Sequence, residues 1–336
     1  MTAAHARSGR RQRDVASGAN TLREAAELGS RRVALDLLAA VRDTRDRLDD
    51  PGDRTALHDF RVAMRRLRSW LRAFRPQFRD TLRPKLEQRL GRIARVTSTS
   101  RDLEVHIGWV KNSRRALPEQ GRPGADWLLR RLRGLKRVAD AELRDTIERF
   151  FAKTMRRVES ALERYEARVA DDGPRFGDSA ADLIDRETGA LAAAIQQVSG
   201  QGDRAEAHAA RIAAKRLRYV LEGLASVGVP SESVVNELKS LQDTLGELHD
   251  AQQFGSELAT MISKLIADHG NDRSAGRPGR AHRGRAVDPV NGLRLMLRQL
   301  RRAEARAFHE FQATWKADRW GLEFAASVAS IQHSLR

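Results

Sequence analysis

The sequence predicts an all-α protein made of two related helical halves. Apolar residues recur at steps of three and four through most of the chain, and no run alternates with a period of two. The stretch LHDFRVAMRRLRSWLRAF (57–74) returns as AHAARIAAKRLRYVLEGL (207–224). At an offset of 150, residues 53–75 and 203–225 share nine identities, among them Asp53/Asp203, His58/His208, Arg61/Arg211, Arg66/Arg216 and Arg68/Arg218.

Along the chain, residues 1–22 are polar, small and basic, a composition that predicts disorder. The first half then spans 23–170. Helical periodicity begins at 31–48 and is broken by DDPGD (49–53), where Asp53 is placed to cap the next helix. Further helices are predicted at 55–75, 80–97, 101–115 and 125–168, with ALPEQGRPG (116–124) as a turn. DDGPRFGD (171–178) reads as the linker between halves. The second half, 179–336, carries helices at 179–198, 204–226, 231–247, 249–268, 290–316 and, more weakly, 319–333. Its segment 269–289 is Gly/Arg-rich with almost no large apolar residue, and is expected to be a disordered basic insert. The repeat extends beyond the arginine helix: LGRIARVTSTSRDLEV (90–105) matches LKSLQDTLGELHDAQQ (238–253), with Asp102 and Asp250 in register.

Composition narrows the function. The 336 residues hold 62 Lys and Arg against 45 Asp and Glu, a net charge of +17, which points to a polyanionic partner. Of the 62, 54 are arginine, whose planar fork grips phosphate oxygens in pairs. A genome-wide arginine bias accounts for that ratio equally well, so position has to decide. There is no cysteine, which excludes disulfides and thiolate chemistry and fits a cytoplasmic setting. No window approaches the roughly 18 consecutive apolar residues of a membrane span, and the N-terminus lacks the apolar core of a secretory signal.

Position is informative in the repeated helix. On a wheel, Phe60, Ala63, Met64, Leu67, Trp70, Leu71 and Phe74 share one face, while His58, Arg61, Arg65, Arg68 and Arg72 occupy the opposite one and Arg66 a flank. The second copy sorts alike, with Ala210, Ala213, Ala214, Leu217, Leu221 and Leu224 inward and His208, Arg211, Lys215 and Arg218 outward. Exposed helices ordinarily alternate charge sign, because like charges at i,i+4 cost a few tenths of a kcal/mol. Repulsion tolerated twice in the same way marks a site that receives an anion. Only 5% of residues are aromatic and no ring interleaves with the arginines, so the ligand is expected to be phosphate without bases. No P-loop or glycine-rich dinucleotide loop is present, and no cofactor is expected.

These residues resemble a known family. His58, Arg61, Arg65, Arg66, Leu67 and Arg68, then RDLEV (101–105), HAARIAAKRLRY (208–219) and LKSLQDTLGELHDA (238–251) are similar to the CHAD domain, the conserved histidine α-helical domain, over roughly 25–318. The resemblance implies two four-helix bundles related by a pseudo-twofold axis, with basic residues lining a central cavity. It also implies binding of inorganic polyphosphate and, for some members, association with polyphosphate granules. One departure stands out: where Leu245-Gly246 precedes His249-Asp250 in the second half, the first half reads Thr97-Ser98.

Other candidates carry less. His58, His106, His208 and His249 lack metal-ligand spacing, and two of them have arginine neighbours that repel a cation, so no metal is expected. Asp102 and Asp250 read as helix-start charges or as braces that orient arginines, rather than as acid–base catalysts. Arg92, Arg101, Arg137, Lys239 and Arg302, with Arg216 beside the second stripe, are expected to extend the basic surface. No nucleophile, paired carboxylates or ExExK strand is present, which predicts a binding protein rather than an enzyme. General nucleic-acid binding is the alternative partner; the oligomeric state is left open.

Overall fold

The computed structural model describes residues 20–50, 52–164, 173–274, 289–316 and 318–336. Among them it is all helical, and backbone pairing outside helices is limited to one isolated bridge, Ala25 to Arg175. The helices are α1 (Ala26–Asp46), α2 (Ala56–Ala73), α3 (Arg75–Phe78), α4 (Pro84–Ala116), α5 (Arg122–Thr146), α6 (Ala152–Glu163), α7 (Phe176–Gln197), α8 (Arg204–Ala225), α9 (Glu232–Ser274), α10 (Val290–Trp315) and α11 (Asp318–Leu335). A π-helical turn, Ile147–Phe151, joins α5 to α6.

Two expected breaks are absent. Predicted helices 80–97 and 101–115 are one helix, α4, and 231–247 and 249–268 are one helix, α9. Hydroxyl residues around 97–100 do not compete with the backbone here. Thr97 Oγ1 donates to Ile93 O (2.7 Å) and Thr99 Oγ1 to Arg95 O (3.1 Å), so both turn back onto the preceding turn of the same helix. Asp102 and Asp250 therefore sit inside long helices, and the helix-start reading of their charge is overturned. α9 also runs through residues 269–274, the first part of the segment expected as a disordered insert; residues 275–288 lie outside the described part.

The ends of the first half are corrected as well. Within the expected disordered stretch 1–22, residues 1–19 lie outside the described part, but Thr21 is buried and Leu22 packs against the core. The linker 171–178 is tied down from Pro174 onward. Ala26 N donates to Pro174 O (3.0 Å) and Phe176 N to Glu24 O (2.8 Å). Phe176 is fully buried against Gly29, where a Cβ would stand 2.5 Å from its ring. The N-cap position of α2 is Thr55 rather than the expected Asp53, whose Oδ1 still accepts from Thr55 N (2.9 Å) and Ala56 N (3.0 Å) just before the helix.

α1 packs on α2 and α7 on α8; α2 packs on α4 and α8 on α9; the hairpins α4–α5 and α9–α10 are long and antiparallel in sequence order. The halves are joined by α2 on α8, by α5 on α10 and by α1 on α7. The apolar cores do not divide at 171–178. One large cluster takes α1, α2, α7, α8, α11 and the near parts of both hairpins. A smaller one is formed where the far ends of the hairpins meet, from Val110, Leu117, Ala125–Leu132, Phe254–Ile262 and Val290–Leu300. There Gly124 and Gly292 let α5 and α10 touch backbone to backbone: a Cβ on Gly292 would lie 2.1 Å from Gly121 O. At the other crossing Gly223 of α8 admits Trp70 of α2, whose ring would meet a Cβ at 2.4 Å. Trp70 is fully buried and its Nε1 donates to Ser30 O (2.9 Å), so the crossing is fixed on α1 too.

Candidate functional site

Every residue assigned by periodicity to the inward face of α2 and α8 is buried. Burial of these faces aims the opposite stripes toward each other where the two helices cross. Arg65 Nη1 donates to Tyr219 OH across the crossing (3.2 Å), and Arg66 Nε donates to Glu222 Oε2 (2.7 Å). The charges of Arg61, Arg65, Arg211 and Lys215 fall close enough to perturb one another.

The electrostatic consequences are large. Arg61 and Arg211 are held below the ordinary guanidinium value, first by burial and then by neighbouring arginines, with Asp102 and Asp250 acting in the opposite direction. Lys215 is pushed down to about 6 by burial, then by Arg211, Arg65 and Arg61. Its ammonium is thus largely deprotonated at pH 7. His208 and His249, with rings 4.8 Å apart, are likewise lowered by burial first and then by Arg211 among the nearby cations. Among the described residues no group of three or more His, Asp or Glu is arranged to hold a metal.

The two copies differ in what the arginine of each meets. Arg61 Nε donates to Ser98 Oγ (3.2 Å) while its Nη2 pairs with Asp102 (2.8 Å). Asp102 is therefore a brace for Arg61. In the second copy Gly246 stands where Ser98 stands, and a Cβ there would lie 3.9 Å from Arg211 Nε. Arg211 Nε is buried without a hydrogen-bond acceptor among the described residues. The departure at Thr97-Ser98 thus bears directly on the arginine stripe. An uncompensated buried N–H in a cluster of like charges is chemically a site for an anionic oxygen.

A family model for the CHAD domain matches residues 32–259, more than half of the chain. The chain belongs to the CHAD domain family. Its fold is also similar to two solved structures. One is the CHAD domain from the plant Ricinus communis (19% identity, 94% of each chain covered, TM-score 0.55). The other is PptA from Streptomyces chartreusis (16% identity, 90% of this chain and 99% of that one, TM-score 0.62). At such identities the likeness establishes the fold. No curated protein sequence matches the chain.

Within the CHAD helices, the remaining predicted residues fall around the cluster rather than in it. Arg68 lies across Gly91 of α4, and burial, then Arg72 and Arg95, lower its pKa. Arg218 approaches Glu222 (3.6 Å), as Arg66 does, so one carboxylate partly neutralises two predicted ligands. Arg101 pairs with Glu104 (2.7 Å), Arg92 stacks over Phe150 (4.7 Å), and Lys239 donates to Asn236 (3.3 Å). Arg216 lies near Glu187 of α7, and Arg137 lines a separate cavity of about 640 Å³ with Arg133 and Lys136. His58 and Arg302 are exposed. Tyr219 is the residue the wheel missed: it is buried at the centre of the cluster, with Arg65 on its hydroxyl and Arg218 over its ring (4.8 Å). Its faces are covered, so it offers no platform for a base.

Proposed function

We propose that this CHAD protein binds inorganic polyphosphate at the α2–α8 crossing, through Arg61, Arg65, Arg211 and Lys215, and does not hydrolyse it. The observation that carries the reading is this cluster of cations from both copies of the repeat, with Arg211 Nε lacking an acceptor among the described residues. A chain of phosphates supplies closely spaced anionic oxygens and no bases, which suits a site whose central ring, Tyr219, is already enclosed. Asp102 is held by Arg61 and serves to orient it, so it is not free to act as a base. We propose association with polyphosphate granules as the cellular setting; among the described residues no helix is long and apolar enough to cross a membrane.

Competition tests the reading. Long-chain polyphosphate displaces single-stranded DNA at about 150 mM salt, and DNA does not displace polyphosphate. Equal or tighter DNA binding contradicts the assignment and favours a general nucleic-acid binder. Incubation with polyphosphate and divalent metals releases no orthophosphate; release that disappears in Asp102→Asn contradicts the binding-only reading.

A further inference from the structure

A second basic site lies away from the crossing. At the start of α4, Arg83, Lys85 and Arg89 face Lys153, Arg156 and Arg157 of α6 across a cavity of about 750 Å³, with Asp80 at its edge. None of these six cations has a carboxylate partner among the described residues. Two of the neighbouring acids are engaged elsewhere: Glu87 with Arg75 (3.6 Å) and Glu159 with both nitrogens of the Arg42 fork (2.5 and 2.7 Å). α6 is held rigidly beneath the cavity by the buried Arg31, which donates to Ala161 O (3.0 Å) and Leu162 O (3.3 Å) at its end and to Thr81 Oγ1 (3.0 Å) near the start of α4.

The cavity and the crossing are connected by more of the same charge. From Arg65, one turn along α2 leads to Arg68, which lies across Gly91 of α4 and senses Arg95. Arg95 and Arg92 occupy the exposed face of α4, and Arg92 rests on Phe150, one turn before Lys153 on the other wall. Between residues 85 and 101 the only acid on α4 is Glu87, already paired with Arg75. From Lys85 to Asp102, the partner of Arg61, α4 rises about 25 Å.

We propose that a polyphosphate chain held at the α2–α8 crossing runs across the Arg92/Arg95 face of α4 and ends in the α4–α6 cavity, so that chain length sets affinity. This rests on polyphosphate binding at the crossing. Tripolyphosphate is too short to reach both places and reads the crossing alone; long-chain polyphosphate reads the whole track.

The test compares the two ligands on a variant combining Lys153→Gln, Arg156→Gln and Arg157→Gln, all exposed positions. Long-chain affinity falls about tenfold or more, and the slope of log K against log salt becomes shallower by about two, for three lost phosphate contacts. Tripolyphosphate affinity is unchanged. Lys85→Gln with Arg89→Gln, on the opposite wall, gives the same pattern and guards against a local folding defect in α6. Unchanged long-chain affinity and slope in both variants overturn the track while leaving binding at the crossing intact. A tripolyphosphate stoichiometry that drops from two to one overturns it in favour of two separate sites. If the unaltered protein binds neither ligand, polyphosphate binding fails and the track with it.

Discussion

Ser98 and Gly246 occupy equivalent places and leave their arginines in different states. Arg61 Nε has the Ser98 hydroxyl; Arg211 Nε has nothing among the described residues. Gly246→Ser would give Arg211 an internal acceptor, since a Cβ fits at 3.9 Å, and would also remove a helix glycine. Polyphosphate affinity should then fall about tenfold, because a hydrogen bond to a charged group is worth about 1.5–3 kcal/mol, while the melting temperature rises. Calorimetry and thermal unfolding on one variant read both signs; affinity that does not move removes Arg211 from the site. Lys215 makes a pH prediction. The groups facing it are Arg61 and Arg65 on α2, His208 and Arg211 on α8, and His249 and Asp250 on α9. Free, its pKa is about 6; a bound polyanion raises it, so the complex holds one more proton than the free protein. Affinity therefore falls as pH rises above 6, by up to about tenfold per unit, until the pKa of the complex is passed. The two histidines are lowered as well, by burial first and then by nearby cations. Lys215→Met should flatten the profile between pH 7 and 9; an unaltered slope contradicts the assignment.

At the scale of elements, the apolar faces of α2 and α8 were legible in the sequence because burial follows helical period, and each residue placed inward is buried. What faces the arginines was not legible. Tyr219 and Glu222 are reached only through the crossing of two helices about 150 residues apart, and Ser98 only through the packing of α2 on α4; no wheel of one helix contains those distances. The breaks expected in α4 and α9 failed for a local reason. Threonine hydroxyls and a single glycine weaken a helix in isolation, but here the hydroxyls bond the preceding turn and tertiary packing covers the rest. The crossing itself depends on Gly223. Gly223→Ala would drive a methyl into the Trp70 ring and should cost about 1–3 kcal/mol, read as a lower melting temperature. Polyphosphate affinity should drop with it, since the two stripes move apart. A folded, destabilised variant with full affinity would show that the spacing of α2 and α8 does not matter to binding.

For the whole molecule, the family and the all-helical fold were visible in the repeat and in the spacing of basic residues. The way the halves join was not. Sequence duplication suggested two bundles flanking a linker, whereas the main core is shared by both halves and Phe176, inside the expected linker, fills it. Polar and small residues at 171–175 read as a spacer because composition does not reveal that Pro174 and Phe176 pair with the start of α1. A shared core places both arginine helices on one rigid frame, and the central claim is that they form one binding site. Titration calorimetry with tripolyphosphate on two double variants, Arg61→Glu/Arg65→Glu and Arg211→Glu/Lys215→Glu, tests that claim most directly. The single-site account predicts that each double variant loses most of its affinity, by a hundredfold or more for two charged contacts at about 1.5–3 kcal/mol each. Halved stoichiometry with the remaining affinity intact, in either variant, would contradict it.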